Sequence, residues 1–181
     1  MKKTAIIASS LFFLLLIITS GCQTAQMTTT TTSTTTTTIP KETSFGGLTL
    51  GMTTSQVTSA WGTPSSTSVS GLQTNYSWTT QEGSTTRTNR AATFLTSTGK
   101  LILIGQNRIG DSLLSINFLD LSGEVTSRYG TPECKTIMTG YPTGELWVYN
   151  SRNIAYKIST SSAWLSKVVA LYVLDGTLYV Y

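Results

Sequence analysis

An α+β fold made of two like units is predicted by three observations on this 181-residue chain. The stretch Gln56 to Pro64 returns as Glu124 to Pro132, differing only at Gln56/Glu124, Ala60/Arg128 and Trp61/Tyr129. Each copy has the spacing of a short amphipathic helix and is followed by aromatic and aliphatic runs. The runs are joined by turns too short for a parallel crossover, so antiparallel pairing is expected. A chain with such an echo, 68 residues apart, is most simply one unit used twice. The expected architecture is two tandem units, residues 45–110 and 111–181. Each is a short helix packed on an antiparallel sheet of about three or four strands.

In the first unit Thr53 and Gln56 have the capping-box spacing, N-cap and N3. Val57, Ala60 and Trp61 then share a helical face. Gly62 suits the left-handed C-terminal position, and Pro64 blocks continuation. A helix this short is marginal alone and must lie on a sheet. Tyr76 to Trp78, Ala91 to Thr96 and Leu101 to Ile104 supply strands, with Thr98-Gly99 as a hairpin turn. Gly46-Gly47 reads as the lead-in to the helix.

The second unit follows the same order. Its helix carries Val125, Arg128 and Tyr129. Leu121 stands where Thr53 stood, so Ser122 is left to cap. Leu146 to Tyr149, Ile154 to Ile158 and Val168 to Leu174 are its strands. Asp175-Gly176 predicts a final hairpin with Thr177 to Tyr181 as an extra strand.

Residues 1–21 read as a signal peptide: Lys2 and Lys3, an apolar stretch from Thr4 to Thr19, then small residues. The small residues leading into Cys22 resemble the lipobox of bacterial lipoproteins. That resemblance implies an acylated Cys22 as the membrane anchor, and several buried acyl chains would hold firmly at about 0.8 kcal/mol per methylene. Gln23 follows, where Asp would imply inner-membrane retention. The resemblance therefore implies the periplasmic face of an outer membrane. Residues 22–44 form the lipidated start and a Thr-rich tether, with no apolar face to bury. As a coil it spans roughly 25 Å. With Cys22 acylated, Cys134 is the cysteine left in the folded part, so no internal disulfide is expected.

The chain carries 12 Lys and Arg against 8 Asp and Glu, with no histidine. The cations form no block or stripe, so nucleic acid is not an expected partner. The missing histidine removes Ser-His-Asp and Cys-His catalysis and His-bearing zinc sites. No phosphate loop or dinucleotide fingerprint occurs. Asp111, Asp120 and Glu124 read as caps or solvated face, and Ser166-Lys167 as a strand start. No catalytic residue, metal site or cofactor is expected. Trp78, Trp147, Tyr149, Tyr156, Trp164 and Tyr172 lie on or between predicted strands. Cross-strand packing explains most of them. A subset exposed together on the helix-free face would make a partner-binding surface.

Leu48 to Val57 with Trp61-Gly62-Thr63-Pro64 carries the pattern Gly-Met-Thr, two residues, Gln-Val, three residues, a large apolar residue, Gly, any residue, Pro. This resembles the SmpA/OmlA (BamE-like) family of outer-membrane lipoproteins. The second unit keeps Val125, Tyr129, Gly130 and Pro132 but has Leu119-Asp120-Leu121 in place of Gly-Met-Thr. Two such units in tandem also resemble the β-lactamase inhibitory protein. The resemblances imply a non-enzymatic envelope lipoprotein that binds a protein partner, in outer-membrane assembly or envelope integrity. The alternative they imply is an inhibitor or binding protein for an exported enzyme.

Overall fold

A computed structural model describes residues 40–82, 85–139 and 142–177. The predicted signal peptide, Cys22, residues 23–39 of the tether, and residues 178–181 of the expected last strand lie outside the described residues.

The class is α+β, as expected, but the two sheets are one. Among the described residues a single eight-stranded sheet has the order β3-β4-β5-β6-β12-β11-β10-β9. Its strands are β3 (Ser66–Ser70), β4 (Gln73–Glu82), β5 (Thr85–Leu95), β6 (Lys100–Gln106), β9 (Cys134–Met138), β10 (Gly144–Tyr149), β11 (Ile154–Ser159) and β12 (Val168–Leu174). Every neighbouring pair is antiparallel. The halves join where β12 pairs with β6, from Leu171 opposite Gln106 to Leu174 opposite Leu103. The expectation of two separate small sheets is corrected here. β6 and β12 are apolar along nearly their whole length, and each would be an open edge in a lone unit. Pairing them satisfies both backbones and buries both faces.

Two β-hairpins absent from the sequence reading precede the helices: β1 (Ser44–Phe45) with β2 (Leu48–Thr49), and β7 (Ser112–Leu113) with β8 (Ile116–Asn117). Their tips are Gly46-Gly47, at φ +58° and +82°, and Leu114-Ser115, at φ +49° and +66°. Two successive positive φ values make the tight turn that matches strand twist. The fold also takes in the end of the expected tether, since Glu42 N donates to the Arg152 carbonyl.

Helices α1 (Thr54–Trp61) and α2 (Ser122–Tyr129) follow the hairpins. Thr53 and Gln56 form the predicted capping box. At α2 the N-cap is Leu121, with no side-chain cap bond, so Ser122 does not cap but opens the helix. A β-bridge from Leu121 to Lys167 fixes the helix start instead, and matches the bridge from Thr53 to Lys100. Gly62 and Gly130 end the helices at φ +82° and +77°.

Val57 and Val125 of the helices and Phe45, Leu48, Leu113 and Ile116 of the hairpins bury against one face of the sheet. That face also carries Trp78, Phe94, Tyr149, Tyr156 and Leu171. On the opposite face Leu103, Leu146, Val148, Ala155 and Leu174 form a second buried cluster.

Candidate functional site

Each helix holds the tip of its own hairpin through its last aromatic residue. Trp61 Nε1 donates to the Gly46 carbonyl at 2.9 Å, and Tyr129 Oη donates to the Leu114 carbonyl at 2.7 Å. A sheet aromatic then closes each helix end. Trp78 Nε1 donates to the Gly62 carbonyl and Tyr149 Oη to the Gly130 carbonyl, both at 3.1 Å. A guanidinium caps each outer ring: Arg90 lies 5.1 Å from the Trp61 ring centre and Arg152 lies 5.2 Å from that of Tyr129. Such contacts contribute about 0.5–1 kcal/mol at exposed sites.

Side by side, the hairpins border an open groove of about 480 Å³. Glu42, Phe45, Gly47, Thr49, Ser112 and Leu114 line it. Leu114, 40% exposed, offers an apolar anchor there. The tip carbonyls of Gly46 and Leu114 are already taken by Trp61 and Tyr129, so the lining meets a ligand mainly with side chains and the faces of the turns. An open groove of this size has room for an extended segment of another chain. The sequence reading missed this groove. Its one signal was Gly46-Gly47, read as a lead-in.

Of the six aromatic residues considered for partner binding, Trp78, Trp147, Tyr149 and Tyr156 are buried, at 7%, 9%, 2% and 0% exposure. They sit on the helix-bearing face. Tyr129, Tyr149 and Tyr156 form one ring cluster, with Tyr129 and Tyr156 stacked at 6.0 Å. Burial, then the neighbouring Tyr129, pushes the Tyr149 hydroxyl up to about 12. Tyr156 is pushed up as well, first by burial, and its hydroxyl donates to the Leu113 carbonyl. Only Trp164, in a 3-10 turn (Ser162–Trp164), and Tyr172, on the helix-free face of β12, are partly exposed. A ring inside the core presents nothing to a partner, so of the six only these two reach the surface.

Asp111 and Asp120 act as turn caps. Their Oδ2 atoms accept from the backbone of Arg108 at 2.7 Å and of Asn117 at 2.6 Å. Burial raises Asp111, against the lowering influence of that amide and of the Arg108 and Arg90 charges. Among the described residues no cluster of acids, cysteines or histidines could hold a metal ion. Lys157 is 8% exposed on the helix-free face, and burial lowers it.

Cys134 opens β9 and packs on the second buried cluster. It is disulfide-bonded, which corrects the expectation of no internal disulfide. The sequence holds one other cysteine, Cys22, outside the described residues.

No family model and no curated protein matches this chain. Two solved structures are similar to it. One is a cysteine-rich secretory protein from Staphylococcus aureus, with a TM-score of 0.47 and 10% identity over 77% of this chain and 49% of that one. The other is an extracellular protein containing an SCP domain from Bacillus anthracis, with a TM-score of 0.47 and 8% identity over 81% of this chain and 50% of that one. The chain thus spans about half the length of these structures. The resemblance to SmpA/OmlA and to the β-lactamase inhibitory protein is corrected by these findings. No family model supports it. The matching motif was a capped helix and a glycine turn, which any helix of this length on a sheet can use.

Proposed function

We propose that this chain is an exported, non-enzymatic binding protein that presents its folded part on the Thr-rich tether, with a lipid on Cys22 as its anchor only where that sulfur is not in a disulfide. The observation that carries the binding role is the open groove between the two hairpins. It has an exposed apolar residue, Leu114, at its rim and, on each side, a tip pinned by a helix aromatic. Pinned tips keep the groove preformed, which lowers the ordering cost of binding. The ligand that fits is an extended segment of a partner protein.

Anchoring and the disulfide compete for one sulfur. A thioether-linked lipid on Cys22 and a Cys22–Cys134 disulfide exclude each other, and Cys22 is the one other cysteine available. Intact mass of the protein from membranes decides between them. Acyl groups on an N-terminal Cys22 support the anchor. A mass two hydrogen atoms below that of the unacylated, reduced chain refutes it and leaves a secreted protein.

The binding role is tested by a photo-crosslinking residue at Leu114 in the producing cells. A discrete adduct there, missing with the same residue at exposed Ser97, supports the groove. Equal labelling at both positions refutes it.

A further inference from the structure

The two outer strands of the sheet are not alike. β9 is protected by a charge: Lys135 lies on it, with Nζ 4.1 Å from the centre of the Trp147 ring. β3 has no such guard. Its sequence, Ser66-Thr67-Ser68-Val69-Ser70, has no charge and no proline. It pairs with β4 in unbroken register from Ser66 opposite Ser77 to Ser70 opposite Gln73, so no bulge turns it away. It is exposed nearly throughout, with Val69 at 66% and neighbouring Leu72 at 72%. Edge strands in monomeric proteins are blunted by charge, proline or bulges, because a bare edge templates another strand. β3 has none of these devices.

We propose that β3 is a self-association edge, where a second copy of this chain pairs its own β3 antiparallel about a two-fold axis through Ser68. The strand is self-complementary in that register. Ser68 meets Ser68 of the second copy, Thr67 meets Val69, and Ser66 meets Ser70. The two β-branched pairs are of the kind that stabilises neighbouring strands. They fall on the side of the sheet that carries Tyr76, since Thr67 pairs with Tyr76 in β4. No like charges come together, and the closed symmetry uses both free edges at once, so assembly stops at two. The union joins two sheets into one across the interface. Pairing over five residues buries less than the roughly 1,000 Å² of a stable interface. The dimer is therefore weak in solution and is favoured where copies are concentrated on one surface.

The test uses single cysteines in the full chain under mild oxidation, with the wild-type chain as background. Opposed residues of an antiparallel pair bring their Cα atoms to about 4.5–5.5 Å, within disulfide reach. Ser68→Cys should give a covalent dimer well above background. Ser66→Cys alone should not, but Ser66→Cys mixed with Ser70→Cys should. A Thr67→Lys/Val69→Lys chain should lose non-covalent dimer, and mixing it with Thr67→Glu/Val69→Glu should restore it. Equal crosslinking by Ser68→Cys and Ser66→Cys, or no rescue on mixing, overturns the proposal. So does growth of long oligomers, which would mean β3 pairing with β9.

Discussion

Trp61 and Tyr129 make one and the same hydrogen bond, 68 residues apart, each to the first tip residue of the hairpin before its helix. The donors differ, an indole nitrogen and a phenol oxygen, yet the acceptors Gly46 and Leu114 are counterparts in the repeat. The internal repeat thus survives as geometry where side-chain identity has drifted.

The two bonds should act independently. Trp61→Phe and Tyr129→Phe each remove the donor and leave a carbonyl without it. Each should lower stability in chemical denaturation by about 1 kcal/mol beyond any packing change. The double variant should show the sum within about 0.5 kcal/mol, because the sites share no partner.

The hairpin tips should respond in opposite directions. Leu114 adopts φ +49°, where a branched side chain is strained, so Leu114→Gly should stabilise or be neutral, by up to about 1 kcal/mol. Gly46→Ala should destabilise by more than that. A Cβ there would run into the Gln106 side-chain amide, and φ is +58°. Thermal unfolding of the two variants measures the contrast.

Stability should rise with pH on the alkaline side of neutrality through Lys157. Burial lowers its folded value below that of the unfolded chain, so the unfolded state binds more protons between the two. Below the folded value the cost of burying the ammonium is fully present. It disappears as pH rises toward the ordinary lysine value of about 10.4. Tyr149 acts with the opposite sign. Its raised value means that stability is intact below about 10 and is lost as pH climbs toward about 12. Lys157→Met should remove the first slope and raise stability near pH 7 by about 1 kcal/mol or more. Denaturant midpoints measured from about pH 6 to about pH 11 check both signs.

The helices were legible because their signals are local. Thr53, Gln56, Gly62 and Pro64 sit within a few residues of what they control. The strands around Trp78, Phe94, Tyr156 and Val173 were legible from composition. β3 and β9 were not, since a Ser/Thr run and Cys134 to Met138 carry little apolar alternation. The second hairpin was hidden because Leu114 and Ser115 hold positive φ without a glycine. Union of the sheets was invisible because β6 and β12 meet across more than sixty residues of chain. The aromatic residues could not be sorted for a related reason. In Leu146-Trp147-Val148-Tyr149 both faces are apolar, so alternation does not reveal which side meets the helices. Which residues form the groove depended on two hairpins lying side by side, a long-range fact.

The join between β6 and β12 also sets an order of events. A chain emerging from its N-terminus completes β6 early, with Leu101, Ile102, Leu103 and Ile104 in place but no neighbour on one side. That neighbour is the last of the described strands to be made, yet it takes an interior position between β6 and β11. Until β12 arrives, the first half carries an apolar open edge of the kind that aggregates. Export before that moment would let the sheet close only beyond the membrane. A truncation ahead of Val168 would leave two such edges rather than a smaller stable protein.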